Sequence, residues 1–353
     1  MSGSLAAGGL TFVHDVPPQR VVFAAGALAG IGDEADRLRL GRVLVVATPG
    51  SGARLGQKTS DLLGKRVAGL IAESVMHVPK PVAERGLAAA RDTKADGLVA
   101  VGGGSAIGLA KAIARETSLP IIAIPTTYAG SEATPIFGIS DGDRKITGRD
   151  AKVVPRTIIY DPDLTLALPA AISAASGMNG LAHCVEACWV DSRTPMTLAL
   201  ASEATRRLVR NLPVVVADGS NRTARADCLA GAWLAGIVLS AGTALHHKLA
   251  HVLGGLGLPH AETHAIILPH VMRFNLEAAP DAEARLADAL HNDDPAGAVA
   301  ALLKSLPIPQ RLRDIGFDAG KTDFVAGEIA AASIKSPRPV SAAEVHALLA
   351  AAS

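Results

Sequence analysis

The chain concentrates its histidines in a pattern that could build a catalytic or metal-binding pocket. Asn179 and His183 are four residues apart, and so are His247 and His251. Residues four apart on a helix share one face, with Cβ atoms about 6 Å apart, so two such pairs can line one pocket. Seven of the eleven histidines fall in two short segments: His183, and then His246, His247, His251, His260, His264 and His270.

The chemistry of this pocket depends on Asn179. An aspartate there would complete a ligand set for a first-row divalent cation, but a neutral amide oxygen is a much poorer ligand. Histidine is also the natural proton donor near neutral pH. Any single histidine could instead be an ordinary core or surface residue. Cys184 and Cys188 could add a soft metal site, although small cysteines on a buried helix are the commoner case.

A second motif is the run Gly102-Gly103-Gly104-Ser105, which lies between a predicted strand at 97–101 and a predicted helix at 106–116. Glycines let the backbone approach a phosphate closely, and a helix N-terminus supplies free N–H groups. The run predicts a pyrophosphate site, with a tight turn that needs glycine for geometry alone as the alternative. The spacing is not that of the dinucleotide fingerprint G-x-G-x-x-G.

Hydroxyl side chains follow the next predicted strand, at 121–124. Thr126, Thr127 and Ser131 would lie at a strand's carboxyl end, where open α/β sheets bind ligands. An acidic residue after the second strand, at 42–47, would favour NAD over NADP. None follows it, so the sequence predicts that the protein accepts both NADH and NADPH.

These motifs need two kinds of scaffold. Up to about residue 160, apolar runs alternate with helical patterns, which predicts βαβ units and a Rossmann-like parallel sheet. From 161 onward the pattern is helical, ending in a helix that begins at the capping box Ser341 and Glu344. We therefore predict an α/β domain at 1–160, an all-helical domain at 161–353 and a cleft between them. The predicted strands are 20–24, 42–47, 72–77, 97–101 and 121–124, and the first helices are 27–38, 55–67, 82–95 and 106–116.

Composition narrows the class of protein. The formal net charge is +1, which gives no reason to expect nucleic acid or a membrane surface as a partner. Three cysteines are too few for a disulfide framework, and no signal peptide or apolar run of about 18 residues is evident. The sequence thus predicts a cytoplasmic protein.

Several segments resemble the iron-containing (group III) alcohol dehydrogenase family over nearly the whole chain. The resemblance implies a dehydroquinate synthase-like fold with the active site between an α/β and a helical domain, and it implies a homodimer. The segments that carry it are GGGSAIGLAKAIA (102–114), IPTTYAGSEAT (124–134), YDPDLTLALP (160–169), GMNGLAHCVEA (177–187) and HKLAHVLGGLGLPHAETHAIILPHVMRFN (247–275).

The resemblance also assigns roles to single residues. In metal-dependent members an Asp and three His hold Fe²⁺ or Zn²⁺, and these positions fall on Asn179, His183, His247 and His260. The family often has an Asp where this chain has Gly108. With Asn179 and Gly108 in these places, the chain resembles the branch of the family that reduces maleylacetate to 3-oxoadipate in the breakdown of aromatic compounds. The resemblance implies that this branch works without a bound metal. The family pattern implies cofactor contacts from Gly103, Gly104, Ser105, Thr126, Thr127, Ser131, Lys145 and Leu164.

For this reaction we predict that histidines replace the metal. His247 would stabilise and protonate the enolate, assisted by His183 and His251, and His246 and Lys248 would bind the substrate carboxylates. His260 and Asn179 would also line the dicarboxylate site. Two alternatives remain open. One is a metal-dependent alcohol or polyol dehydrogenase of the same family, and the other is a non-catalytic nucleotide-binding protein.

Overall fold

A six-stranded parallel sheet forms the first part of the molecule. The computed structural model describes residues 12, 14, 18–141 and 144–353. The strands are β1 (Arg20–Phe23), β2 (Val43–Ala47), β3 (Val67–Ile71), β4 (Gly97–Gly102), β5 (Ile121–Pro125), β6 (Ile136–Asp141), β7 (Arg144–Arg149) and β8 (Thr157–Tyr160). The strand order in the sheet is β1-β8-β5-β4-β2-β3, and β6 pairs with β7 in a separate antiparallel ribbon.

Helices cover both faces of this sheet. They are α1 (Ile31–Arg37), α2 (Ser51–Leu63), α3 (Lys80–Asp92) and α4 (Gly104–Thr117). Alternate residues of the central strands enter two separate cores. Leu44 and Val46 of β2 join one core, and Val43 and Val45 join the core on the opposite face. Burial on both faces explains why these strands are continuous apolar runs in the sequence.

The strand order places a ligand crevice between β2 and β4. From β2 the chain continues to β3 on one side and then returns to β4 on the other side of β2. In open α/β sheets, ligands bind at the carboxyl ends of the strands where the winding reverses in this way. Ala47 and Val101 pair next to that edge, and the glycine run follows immediately after β4. The predicted phosphate turn therefore lies at the expected crevice.

In the described part of the chain, every regular element after residue 160 is a helix. None of these helices combines the length and apolar composition that a membrane-spanning segment requires. The helices are α5 (Ala170–Ala187), α6 (Pro195–Ala217), α7 (Arg222–Leu239), α8 (Leu245–Gly255), α9 (His260–Leu276), α10 (Pro280–Leu290), α11 (Pro295–Ser305), α12 (Thr322–Ala331) and α13 (Ala342–Ala352). The capping box predicted at Ser341 and Glu344 is present.

Glycines let the two parts approach each other closely. A Cβ on Gly236 of α7 would lie 2.0 Å from the carbonyl oxygen of Gly130, and one on Gly180 of α5 would lie 2.8 Å from that of Tyr128. Gly130 and Tyr128 belong to the loop that follows β5. Ser176 Oγ also accepts a hydrogen bond from the Tyr128 amide at 3.2 Å. The loop that carries Thr126, Thr127 and Ser131 is therefore held against α5 and α7.

Two details of the predicted scaffold are wrong. The helix predicted at 55–67 ends at Leu63, because Gly64 adopts a left-handed φ of 58°. The third strand is then Val67–Ile71 rather than 72–77. This strand is half-buried at the sheet edge and contains a glycine, so its apolar pattern is weak. Residues 72–77 form an irregular segment instead, which carries His77.

Candidate active site

The glycine turn after β4 has the geometry of a phosphate site. Gly102 adopts a φ of 143°, a region that favours glycine. A Cβ on Gly103 would lie 2.8 Å from Cγ2 of Thr127. No side chain of the described chain caps the N-terminus of α4, which begins at Gly104. The first N–H groups of this helix are thus available to an anion.

The hydroxyl loop lies beside this turn. A Cβ on Gly104 would lie 3.9 Å from Ser131 Oγ. That Oγ is buried and makes no hydrogen bond to any described residue, which indicates a polar ligand. Lys111 of α4 fixes the loop from behind. Its fully buried Nζ donates to the carbonyl oxygens of Ser131, Thr134 and Ile136 at 2.6–2.8 Å and to Thr134 Oγ1 at 3.0 Å.

These residues fit a dinucleotide cofactor. The turn, the uncapped helix and the Ser131 hydroxyl would hold its phosphates, with Ser105 in the first turn of α4. The Thr126 amide donates to the Gly102 carbonyl at 3.1 Å, which joins the two loops. Leu164 follows β8 and packs in the core beneath the same sheet edge. Lys145 lies on β7, opposite Ser140 of β6.

The histidines meet where α5, α8 and α9 converge. The His183 ring of α5 stacks on the His247 ring of α8, with 5.0 Å between ring centroids. His264 of α9 lies 4.9 Å from His247 and 4.4 Å from His260, and His251 lies 6.2 Å from His260. Asn179 lies one turn before His183 on α5 and is buried. The structure therefore brings the five histidines with a predicted role into one cluster, whereas His270 lines a separate pocket with Arg273 and Phe274.

Glu186 orients the central histidine, and the sequence reasoning missed it. Its Oε2 accepts a hydrogen bond from Nδ1 of His247 at 2.5 Å, and its Oε1 accepts one from the backbone amide of His246 at 2.6 Å. Burial raises the pKa of Glu186, but the attraction of His247 and its hydrogen bond outweigh that effect, and the net pKa is lowered. Glu186 is thus a carboxylate paired with His247. The available signal was a lone acid one turn after His183.

His247 presents its other ring nitrogen to the site. Nε2 of His247 is buried without a hydrogen-bond partner in the described structure, as are Nδ1 of His183 and Oδ1 of Asn179. Buried polar atoms are normally paired. Three such atoms in one place indicate a site for a polar ligand, and an imidazole held through Nδ1 can transfer a proton through Nε2.

Three of the inner histidines, His183, His246 and His264, are neutral. Burial, reinforced by repulsion from the neighbouring imidazoles, holds the pKa values of His183 and His264 well below the usual range. Burial and His247 lower the pKa of His246 to about 4, although Glu186 opposes them. His251 is exposed and His260 half-buried, so the cluster has a buried interior and an outer rim.

This geometry disfavours the predicted role of His246 in binding a substrate carboxylate. His246 is completely buried, and its Nε2 donates to the His264 carbonyl at 3.0 Å. It faces the helix core, because adjacent residues on a helix point in different directions. Lys248, the other predicted carboxylate partner, is half-buried on α8. His264 and Glu186 contact the cluster without having been predicted to act in it.

The site fits a divalent cation poorly. The four positions that hold the metal in the family supply only neutral donors here, because Asn179 replaces the carboxylate. Both oxygens of Glu186 are already hydrogen-bonded. Ligand atoms of His246, His247 and His264 do lie within 4.8 Å of one another, but this group of the described chain likewise contains no carboxylate.

Two family models match the chain. Residues 18–162 match the model described as iron-containing alcohol dehydrogenase. Residues 173–353 match the one described as Fe-containing alcohol dehydrogenase family, C-terminal. Together these matches cover every named strand and all of the chain from Ser173 onward.

Relatives and solved structures agree with these models. The chain is 42% identical to a maleylacetate reductase of a Pseudomonas species over 341 residues, 96% of both chains. It is 48% identical to maleylacetate reductase 2 of Cupriavidus pinatubonensis over 293 residues, 82% of this chain and 81% of that one.

Among solved structures, the maleylacetate reductase from Agrobacterium tumefaciens superposes with a TM-score of 0.93 at 41% identity, covering 97% of this chain and 98% of the other. A 1,3-propanediol oxidoreductase superposes with a TM-score of 0.90 at 28% identity, covering 97% and 100%. The chain belongs to the iron-containing alcohol dehydrogenase family of oxidoreductases.

Proposed function

We propose that the protein reduces maleylacetate to 3-oxoadipate with NADH or NADPH and without a bound metal. The observation that carries the proposal is Asn179, which places a neutral amide beside the histidine cluster where metal-dependent members have an anionic ligand. The identity of 42–48% to maleylacetate reductases supports the same substrate. The absence of an acid after β2 supports the use of both cofactors.

His247 has the central part in the mechanism. The reduced nicotinamide supplies a hydride to the substrate carbon β to the ketone. As the carbon–carbon double bond accepts it, negative charge develops on the ketone oxygen. His247 stabilises that enolate through Nε2–H and gives a proton to the carbon α to the ketone, while Glu186 holds its Nδ1–H. His183 stacks on His247 and lines the same site, with His251 at the rim.

The substrate would lie in a cleft between the α/β domain at 1–160 and the helical domain at 161–353. The contacts of the loop after β5 with α5 and α7 support this arrangement, because they bring the cofactor loop up to the helix that carries Asn179 and His183. Asn179, His260 and Lys248 would line the substrate site from the helical side, and Lys145 and Leu164 would complete the cofactor site.

The first experiment is NADH oxidation with maleylacetate before and after treatment with EDTA, together with metal analysis of the purified protein. We expect rapid turnover that survives the chelator. Activity that is lost with EDTA and restored by Fe²⁺ or Zn²⁺ would contradict the metal-free reaction. The absence of maleylacetate turnover would contradict the substrate. Activity with NADH but not with NADPH would contradict the use of both cofactors.

The role of His247 is tested by His247→Ala. We expect kcat to fall about 10²–10⁴-fold, the usual effect of removing a general acid. His346→Ala is a matched control, since this partly exposed histidine of α13 pairs with Asp323 of α12 and should leave kcat unchanged. Retention of most of kcat in His247→Ala would contradict the assignment.

A metal-dependent alcohol dehydrogenase is the second candidate. The converging ligand atoms of His246, His247 and His264 favour it, as does the likeness to the 1,3-propanediol oxidoreductase. It predicts a stoichiometric metal and NAD-linked oxidation of short diols. Metal analysis and that assay separate the two candidates.

We also propose a homodimer in the cytoplasm. The family resemblance supports the dimer, and three buried free cysteines are compatible with a reducing compartment. Light scattering of the purified protein tests the first statement, and cell fractionation tests the second.

A further inference from the structure

The segment between β3 and α3 adopts a strained backbone beside the histidine cluster. His77 has a φ of 65° and Val78 a φ of 45°. Non-glycine residues seldom adopt the left-handed region, and a β-branched residue there is an outlier. Such conformations persist only where the surrounding structure enforces them, and they cluster at functional sites. Two in succession mark this segment as specifically shaped.

Neighbouring elements enforce this shape. The His77 carbonyl accepts a hydrogen bond from Ser140 Oγ at 3.0 Å, and the Val78 carbonyl accepts one from the Ser140 amide at 3.1 Å. The Ser74 amide donates to the carbonyl of Ala47 at 3.1 Å, which ties the segment to the end of β2. His77 is therefore fixed at the carboxyl edge of the sheet, where the ligand crevice lies.

Gly108 provides the space for this conformation. A Cβ on Gly108 would lie 2.9 Å from Cγ2 of Val78, so any larger residue on α4 would displace the segment. Val78 itself is 4% exposed and belongs to the core beneath α4. The Gly108 position and the strained segment thus form one unit that determines where the His77 ring points.

That ring reaches the other side of the cleft. The rings of His77 and His260 meet edge to face, with 6.2 Å between centroids, and His260 contacts both His251 and His264. His77 is half-buried, like His260. It extends the outer rim of the cluster onto the α/β part. The nearby cations Lys80 and Arg85 are engaged in surface ion pairs with Asp141 and Glu73.

We propose that His77 contacts the substrate and binds one of its carboxylates from the α/β side of the cleft. This inference rests on the proposed reduction of a dicarboxylate. His77 would take the carboxylate-binding role first predicted for His246. His246 is completely buried, and a side chain that binds a substrate carboxylate must reach the open cleft. One carboxylate would then lie against His77, and the reacting ketone would face His247 deeper in the cluster.

The test uses variants that keep the backbone. His77→Gly and His77→Asn both accept the left-handed conformation, so the fold is preserved while the imidazole is removed. Met76→Ala is the matched control, since its side chain is 55% exposed in the same segment. The readouts are KM for maleylacetate, KM for NADH and kcat, and melting temperatures verify folding.

We expect KM for maleylacetate to rise about 10- to 100-fold in both variants, the range for losing a hydrogen bond to a charged group. KM for NADH should stay within about twofold, and kcat should change less than KM, because a carboxylate contact is made in both ground and transition states. A KM for maleylacetate that stays within about twofold in both variants would overturn the proposal.

A binding experiment tests the His77 site even if the proposed reaction is wrong. If the wild type does not turn over maleylacetate, adipate serves as an unreactive dicarboxylate probe of the NADH-loaded enzyme, with its binding followed by NADH fluorescence. Weaker adipate binding by His77→Gly than by the wild type would then support the His77 site. Equal binding, or no binding by the wild type, would overturn it.

Discussion

Replacing Glu186 by glutamine tests the proton-transfer geometry with the smallest possible change. Oε1 of Glu186 accepts from the His246 amide, which can only donate, so one oxygen must remain there. The new amide group would then face Nδ1 of His247 and force this nitrogen to accept. The opposite orientation would place the amide group against the His246 N–H. Either orientation breaks one of the two hydrogen bonds.

The loss of kcat follows from the loss of the hydrogen bond between Glu186 and Nδ1 of His247. In the proposed mechanism the carboxylate holds the Nδ1–H of His247 while Nε2 donates to the substrate. With glutamine the ring is held in the other tautomer and loses the ionic stabilisation of its acidic form. In a comparable carboxylate–histidine pair, the change from acid to amide lowers kcat by about 10⁴-fold. We expect a loss of about 10²–10⁴-fold here, which corresponds to roughly 3–5 kcal/mol of barrier.

The assay is kcat at saturating maleylacetate and NADH, combined with proton NMR. The buried Nδ1–H of His247, which donates to a carboxylate, should give a far-downfield resonance that is absent from Glu186→Gln. Glu34→Gln is the control, because Glu34 is also a buried glutamate, bound to Arg20, Arg37 and Thr157 on the far side of the fold. A kcat for Glu186→Gln within about threefold of that for Glu34→Gln would refute the reasoning.

Three further outcomes are expected. Asn179→Asp should restore an anionic ligand, so metal analysis should find more Fe²⁺ or Zn²⁺ than in the wild type, with slower maleylacetate reduction. Gly103→Val should displace Thr127 and raise KM for NADH at least about 10-fold in steady-state kinetics, and an unchanged KM would contradict the phosphate site. Burial depresses the pKa of His264, so below about pH 6.5 this residue binds a proton more readily in the unfolded chain than in the folded one. The free energy of unfolding should therefore fall on acidification, by up to about 1.4 kcal/mol per pH unit. Urea unfolding between about pH 6.5 and 5 should show a shallower slope in His264→Gln, and an equal slope would count against a neutral His264.

The sequence predicts those features that depend on local pattern. The buried strands β2, β4 and β5 are continuous apolar runs, and the Ser341 capping box is a fixed local spacing. The histidine cluster was predictable for the same reason, because i,i+4 pairs on helices define which side chains share a face. The ribbon of β6 and β7 was not predicted, since its strands are half-exposed and mix apolar with polar residues. β8 was also missed, as a run of only four residues.

Contacts between distant segments could not be predicted from such patterns. Glu186 acts through its contact with α8, some 60 residues along the chain. His77 lies in a segment that the sequence predicted as a strand, and its approach to His260 depends on a left-handed turn that neither His77 nor Val78 favours. The burial that disfavours a substrate role for His246 likewise arises only when α8 packs on α9.

The contact of Gly130 with Gly236 also limits how the molecule can move. Backbone meets backbone there without intervening side chains, so neither partner can adapt by rotating a side chain. Any opening of the proposed cleft must turn about this point as a pivot or break the contact. A pivot would keep Ser131 at a constant distance from α7 while the far rim, where His77 meets His260, separates. Distance measurements between labels at Met76 and at Glu262, with and without NADH, would reveal such a rotation.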